Sequence, residues 1–172
     1  LLVRQVYTTK AVSAWINYDG KNIKNFGSDG LYMKVSSIHE TGNNLLWLNV
    51  SGQLFCFDRR MEHFVSINEN GKFTGVQDVL MQNDTTFWMI STDVLSLISI
   101  AYQMDKMGNI DKVDLKVEME FTGLAGNNTN YMAMCQSPDG IIYIATDWGN
   151  IVTFDPKKHQ MTSLGDLPRV NK

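Results

Sequence analysis

Two stretches of the chain decide its fold: LLWLNVSGQLFCFD at residues 45–58 and IIYIATDWGNIVTFD at residues 141–155. They align with one inserted residue, so that an aromatic residue, a glycine and a closing Phe-Asp pair coincide in both. Each follows a polar turn and contains two short apolar runs on either side of a glycine turn, which is typical of a β-hairpin. Because the whole combination occurs twice, it predicts a repeated structural unit rather than two unrelated hairpins.

A weaker third copy and a partial fourth copy extend this repeat over the chain. The third copy covers residues 76–97 and places Trp88 where the other two place Trp47 and Tyr143. The partial copy, at residues 3–26, lacks its first strand. A unit of about 40 to 50 residues with four short strands has the length of a β-propeller blade.

The segment KVDLKVEMEF at residues 112–121 alternates charged and apolar residues with a period of two. This period predicts a strand half in water, near the edge of a sheet. The apolar run at residues 94–102 precedes it as a buried strand, and Gly108-Asn109 between them predicts a hairpin turn. No window of the sequence shows the stripe with a period of 3.6 residues that a helix would require, so the chain is predicted to be all-β.

We therefore predict β-propeller blades, each a four-stranded antiparallel sheet. The whole of residues 1–172 is expected to form a single propeller segment of about four blades, with a further first strand beginning near residues 167–170. Such an arc of an incomplete propeller exposes apolar sheet faces, which the remaining blades of the same protein or another copy of the chain should cover. The alternative is a β-sandwich of ordinary hairpins. The approximate blades are residues 1–30 (partial), 31–74, 75–125 and 126–167.

Composition excludes several classes of protein. The chain carries 44% hydrophobic and 19% charged residues, and a net charge of −3 with no basic stripe argues against a nucleic-acid partner. No apolar run reaches the roughly 20 residues that span a bilayer, so we expect no membrane insertion by this segment. Cys56 and Cys135 share no closely spaced motif and leave the compartment open.

No pattern in the sequence points to catalysis. The three histidines do not cluster, and the chain contains no Gly-x-Ser-x-Gly, phosphate-binding loop or Cys-x-x-Cys motif. We therefore predict no catalytic residues, no metal site and no cofactor.

Four residues are candidates for ligand binding. Asp147 and Trp148 form the insertion in an otherwise matching copy, which places a large aromatic side chain and a carboxylate at a loop tip. Such a pair suits stacking on a sugar ring with hydrogen bonds to its hydroxyls, although Trp148 could instead pack on a neighbouring blade. Arg59 and Arg60 could face an anionic ligand, and the alternative is a solvated turn.

The repeat resembles the two-component regulator propeller repeats, which form the extracytoplasmic sensor of hybrid two-component systems in gut Bacteroides-type bacteria. The copy with Trp88 departs from the pattern because it lacks the Gly-Leu step. The matching positions are Leu46-Trp47-Leu48, Gly52, Phe57-Asp58 and Phe64 in one copy, and residues 142–146, Gly149 and Phe154-Asp155 in another.

This resemblance implies a non-catalytic, periplasmic ligand-sensing segment of a hybrid sensor histidine kinase. It further implies an oligosaccharide ligand, a homodimer in the full protein, and a kinase that lies outside this chain. Two other functions stay open from the residues themselves. One is a propeller lyase or hydrolase with its active site at the central channel, and the other is a platform for protein interactions.

Overall fold

The structure, a computed structural model, describes residues 2–6, 14–18, 23–25, 35–68, 73–122 and 129–166. These residues form strands and turns without a helix, which confirms the prediction of an all-β chain. The strands are β1 (Leu2–Val6), β2 (Ala14–Tyr18), β3 (Ile23–Asn25), β4 (Val35–Glu40), β5 (Leu45–Val50), β6 (Gln53–Asp58), β7 (His63–Asn68), β8 (Val76–Asn83), β9 (Thr86–Ser91), β10 (Val94–Met104), β11 (Ile110–Thr122), β12 (Tyr131–Gln136), β13 (Ile142–Thr146), β14 (Asn150–Asp155) and β15 (Gln160–Asp166).

The chain divides into two compact units, residues 1–35 and residues 36–172. The first unit contains the three-stranded antiparallel sheet β1-β2-β3, in the region of the predicted partial copy. The remaining residues of that copy, and the further first strand predicted near residues 167–170, lie outside the described residues. In the part of the chain that the structure describes, no helix has the length and hydropathy needed to cross a bilayer.

The two stretches that predicted the repeat form the expected hairpins. The run predicted at residues 45–50 is β5, and its partner β6 begins one residue earlier and ends one residue later than the predicted run 54–57. The other hairpin, β13–β14, belongs to the four-stranded sheet β12-β13-β14-β15, whose three strand pairs are all antiparallel. Each hairpin turn contains a glycine with φ of 79°, Gly52 or Gly149, a conformation that residues with a side chain rarely adopt.

Strands β4 to β11 form one eight-stranded sheet in the order β4-β5-β6-β7-β11-β10-β9-β8. Its two halves, β4–β7 and β8–β11, pack against each other through a shared cluster of buried side chains. We call the contact between these halves the first interface. Trp47 is fully buried in it and lies 5.6 Å from Phe87, measured between ring centroids. Its core consists of the buried side chains Leu45, Trp47, Leu54, Cys56, Val65, Phe73, Val76, Val79, Phe87, Met89, Ile98, Ile100, Ile110, Val113 and Leu115.

A parallel strand pair closes the first interface at its outer edge. Residues Lys112–Asp114 of β11 pair with residues Ser66–Asn68 of β7. The Asn68 side-chain amide reinforces the pair by donating a hydrogen bond of 2.9 Å to Asp114. The sequence prediction that 112–121 lies near a sheet edge is thus wrong for its first residues, because these have strands on both sides.

The hairpin β10–β11 makes this closure possible because it is longer than its neighbours. Its turn is the predicted one: Gly108 has φ of 79°, its amide donates to the Asp105 carbonyl, and the Asp105 amide donates to the Asn109 carbonyl. Of β10, only Val94–Ser99 pairs with β9, so the rest of the hairpin overhangs and reaches β7.

A smaller contact, the second interface, joins β8–β11 to the sheet β12–β15. Trp88 packs there with its ring centroid 5.3 Å from that of Phe154. Among the described strands, no pair links the two sheets across this interface. Its buried side chains are Trp88, Ile90, Leu95, Tyr131, Ile142, Ile144 and Phe154.

Candidate functional site

Asp147 and Trp148 lie in the three-residue turn between β13 and β14. The turn is held by two hydrogen bonds to Thr146, from the Gly149 amide to its carbonyl (3.1 Å) and from the Asn150 amide to its Oγ1 (3.1 Å). Trp148 projects from this turn with 72% of its surface exposed. A large aromatic side chain is therefore presented to solvent at the loop tip where the sequence placed it.

The Asp147 carboxylate, on the residue before Trp148, is held by Asn130, which immediately precedes β12. Its Oδ1 accepts a hydrogen bond from the Asn130 amide (3.0 Å) and its Oδ2 accepts one from the Asn130 side chain (2.7 Å). The Asp147 amide donates in return to the Asn130 carbonyl (3.0 Å). Because an ionised carboxylate offers about four acceptor sites, two such bonds leave acceptor capacity for the hydroxyl groups of a ligand.

Arg59 and Arg60 lie in the turn between β6 and β7, where both are engaged in contacts within the protein. Arg59 pairs with Glu40 at the end of β4. Arg60 donates to the Asn109 side chain (3.0 Å), which ties the turn to the tip of the long hairpin. The buried Asp58 carboxylate accepts the Arg60 amide (2.8 Å) and so fixes the start of the turn.

The two predicted pairs are not brought together by the repeat. Within β4–β7, the turn 59–62 lies at one end of the sheet and the turn 51–52 at the other, since each strand reverses direction. The turn 147–149 is the counterpart of 51–52, because both connect the second strand of a repeat to its third. Equivalent positions of the repeat therefore present the arginines and the Asp-Trp pair at opposite ends.

A cleft that the sequence did not predict opens where β7 changes partner. β7 pairs with β6 over His63–Val65 and with β11 from Ser66 onward, so β6 and β7 diverge. The resulting fork forms an open cleft of about 330 Å³, and its wall combines apolar with hydrogen-bonding side chains. The cleft exists because β7 pairs with β11, and no local sequence pattern predicts that pairing. The cleft is lined by Gln53, Leu54, Phe55, Val65, Ser66, Ile67 and Thr74.

A polar cluster connects the first strands of three successive repeats. On β4, His39 Nε2 lies 3.7 Å from Asp78 Oδ1 on β8. The other oxygen of Asp78 accepts a hydrogen bond from the Met134 amide on β12 (3.0 Å). His39 Nε2 is buried and has no hydrogen-bond partner among the described residues. Asp78 thus links the three strands, and sequence reasoning gave no reason for these residues to meet.

Clustered metal ligands and cysteine thiols are the other reactive groups to consider among the described residues. No group of three or more His, Cys, Asp or Glu side chains that could hold a metal ion comes together in these parts of the chain. Both cysteines are free thiols, and burial, together with the charge of Asp58, raises the pKa of Cys56 to about 12. A thiol with such a pKa is a poor nucleophile at neutral pH, because the thiolate is the reactive form.

Comparison with known proteins places the chain by its fold. No protein-family model and no curated protein matches its sequence. Among solved structures, it is similar to the β-propeller domain of Cps50 (Swd1) from Myceliophteria thermophila, with a TM-score of 0.64 and 10% identity over 93% of this chain and 55% of that one.

Two further similar structures are extracellular domains of hybrid two-component systems from B. thetaiotaomicron. The similarity to BT4673 has a TM-score of 0.63 and 16% identity, covering 98% of this chain and 22% of that one. The similarity to BT3049 has a TM-score of 0.61 and 12% identity, covering 94% of this chain and 22% of that one. The chain thus spans between about a fifth and about half of the length of these proteins. These similarities confirm the predicted β-propeller fold.

Proposed function

We propose that this chain is a non-catalytic, ligand-sensing segment of a propeller sensor belonging to a hybrid two-component system. The observation that carries the proposal is the similarity, over nearly the whole chain, to the extracellular domains of two such systems. We further propose that the segment lies outside the cytoplasmic membrane, in the periplasm, with a histidine kinase in another part of the protein; the similarity to extracellular domains supports this proposal. In the full protein, the sensor would act as a homodimer.

The ligand we propose is an oligosaccharide that contacts Trp148 and Asp147. The exposed indole offers an apolar face for a sugar ring, and the carboxylate of the preceding residue retains acceptor capacity for hydroxyl groups. Arg59 and Arg60 are weaker candidates, because a ligand would have to compete with Glu40 and Asn109 for their guanidinium groups.

A thermal-shift screen of the purified chain against a panel of oligosaccharides tests this proposal. We expect one class of glycan to raise the melting temperature without being cleaved, because a ligand that binds only the folded state stabilises it. Release of a cleaved product would show an enzyme instead. If no glycan shifts the transition, the proposed ligand is wrong and a protein-interaction platform becomes the better function.

A pair of variants then locates the binding residues. Trp148→Ala should abolish the glycan-induced shift, and Asp147→Asn should reduce it. Met107→Ala is the matched control, since Met107 is 81% exposed at the tip of the hairpin β10–β11 and has no proposed role in binding. An equal loss of the shift in the control and in Trp148→Ala would contradict the assignment of Trp148.

A further inference from the structure

The turn between β9 and β10 lies beside the candidate site. Both of its residues, Thr92 and Asp93, are exposed. The Thr92 carbonyl accepts a hydrogen bond from the Tyr131 amide (2.6 Å). The residue before Tyr131 is Asn130, which holds the Asp147 carboxylate through its amide and its side chain. Two turns from successive repeats are therefore fixed by consecutive residues of the chain, and each presents a carboxylate to solvent.

Thr92 is held in a backbone conformation that its side chain disfavours. Its φ is 26°, in the region where β-branched residues are rarely found. A two-residue hairpin turn with a positive φ at its first position normally has glycine there. The hydrogen bond from Tyr131 helps to maintain this conformation. Strained residues that the surrounding structure holds in place are concentrated at functional sites, which favours a functional role for this turn.

The two turns belong to the two sheets that meet at the second interface. The turn between β9 and β10 belongs to β8–β11, which contributes Trp88 to this interface, and the turn 147–149 belongs to β12–β15. Among the strands that the structure describes, no pair crosses the interface, although the hydrogen bond from Tyr131 to Thr92 does. A molecule that contacts both turns therefore spans an interface that lacks strand pairing.

We propose that the oligosaccharide bound at Trp148 also contacts Asp93 and thereby clamps the second interface. This inference rests on the proposed oligosaccharide ligand and adds to it a second contact site and a consequence of binding. One sugar ring stacks on Trp148 with its hydroxyls at Asp147, and a further unit of the same chain donates a hydroxyl hydrogen bond to the Asp93 carboxylate. Because packed sheets lie about 10 Å apart, the ligand that reaches both turns is a chain of linked sugars and not a single sugar.

The first test compares sugar chains of increasing length by titration calorimetry with the purified chain. The probes are β-1,4-linked series of glucose, mannose, xylose and galactose from one to six units, together with fragments of any other glycan that raises the melting temperature. Affinity should rise by about tenfold or more once the sugar chain is long enough to reach Asp93, because a hydrogen bond to an ionised group contributes about that much. An affinity that does not depend on length would contradict the second contact.

Matched variants separate this contact from the rest of the site. Asp93→Ala should return the affinity of long chains to that of short ones, and it should leave the melting temperature of the ligand-free chain unchanged, because Asp93 is exposed. Asp139→Ala is the control, since Asp139 is an exposed carboxylate in the turn between β12 and β13, at the other end of that sheet. Trp148→Ala should abolish binding of chains of every length.

The outcomes distinguish the inference from the proposed function. If Asp93→Ala binds long chains as tightly as the unmodified protein does, while Trp148→Ala does not bind them, the contact with Asp93 is wrong and the proposed ligand stands. If no probe binds, the proposed oligosaccharide ligand and this inference are both wrong.

Amide hydrogen exchange tests the clamp itself. With a long chain at ten times its dissociation constant, exchange of the Tyr131 amide and of β12 should slow by about tenfold, because separation of the sheets then requires release of the ligand. In Asp93→Ala, at ten times its own dissociation constant, exchange should match that of the ligand-free variant, since a ligand held only by the turn 147–149 stays bound when the sheets separate. Equal slowing in both proteins would overturn the clamp.

Discussion

The two interfaces of the larger unit use equivalent positions but are closed in different ways. The first interface has 15 buried apolar residues and is closed at its outer edge by the parallel pair of β7 with β11. The second interface has seven buried residues, and no strand pair crosses it among the described strands. Side-chain packing therefore holds the three repeats of this unit together, while backbone pairing at the rim is added only at the first interface, where the hairpin β10–β11 reaches β7. We infer that β4–β11 acts as one body and that the second interface yields first.

The largest expected effect comes from removing the equivalent tryptophans. Trp47→Ala should lower the free energy of unfolding by about 4–5 kcal/mol and Trp88→Ala by about 3 kcal/mol, because the smaller cluster around Trp88 leaves fewer contacts to lose. Urea denaturation followed by hydrogen exchange would check both values. Trp88→Ala should loosen β12–β15 before the rest, and an equal, global loss in both variants would contradict the difference between the interfaces.

The next largest effect on the free energy of unfolding is expected from substitution of Asn49 at the first interface. Asn49 is 1% exposed, and its side-chain amide donates to the carbonyls of Val76 and Gln77, both at 2.9 Å. Asn49→Ala should cost about 2 kcal/mol in urea denaturation, because it leaves buried carbonyls without their donor. Asn68→Ala is the control: its bond to Asp114 is exposed at the rim, so the loss should stay below about 0.5 kcal/mol. If Asn68→Ala lowered the free energy of unfolding more than Asn49→Ala, the hydrogen bond at the rim would contribute more than the one in the core of the interface.

Alkaline pH should weaken the first interface through Cys56. Burial raises the pKa of this thiol from 9.0 to about 12, so that between these values the unfolded chain releases a proton that the folded chain retains. The contribution of the protonated thiol to stability is therefore fully present below pH 9 and is lost as the pH rises toward 12. At pH 10 this loss lowers the free energy of unfolding by about 1 kcal/mol. Tyr102, which packs against the same cluster, adds to the loss at higher pH, because burial raises its pKa to about 12.

The comparison for this effect is Cys56→Ala. Its free energy of unfolding, measured by urea denaturation at pH 8 and pH 10, should fall less between the two values than that of the unmodified chain. An identical fall in both proteins would show that Cys56 titrates normally in the folded state.

The smallest effect concerns Asp78 at the second interface. Asp78→Ala removes the acceptor of the Met134 amide and should cost about 1 kcal/mol, seen chiefly as faster amide exchange in β12. Asp78→Asn retains an acceptor oxygen but loses the negative charge near His39. We therefore expect faster exchange of β12 in Asp78→Ala than in Asp78→Asn. Equally fast exchange in both variants would show that the negative charge of Asp78, and not its acceptor oxygen alone, holds β12 in place.

Features of the fold that depend on local chemistry could be read from the sequence. Apolar alternation and turn residues predicted the hairpins around Gly52 and Gly149, and the prediction of a hairpin turn at Gly108 is confirmed, because turn type and period are set within a few residues. The partner of Lys112–Asp114 could not be predicted in this way. Its charged alternation resembles an edge strand, and only the position of a distant strand, Ser66–Asn68, makes it an inner one.

The candidate site also combines features that the local sequence predicted with contacts that it could not predict. The sequence predicted Trp148 at a loop tip, and its side chain is exposed there. This could be predicted because an insertion in a repeat lengthens the turn in which it occurs. The engagement of Asp147 by Asn130 was not predicted, since it joins a turn to the start of another strand of its sheet. His39 and Asp78 meet only because first strands of successive repeats adjoin, so no spacing along the chain relates them.

The partner change of β7 has a consequence for the order of events during synthesis. Asn68 and Asp114 are 46 residues apart, so β7 leaves the ribosome well before the strand that will pair with its second edge. At about 5–20 residues per second, this delay lasts several seconds, during which the nascent chain displays an open strand edge. The more extensive of the two described interfaces is therefore also the one that leaves a strand edge open to wrong pairing while the chain is being made.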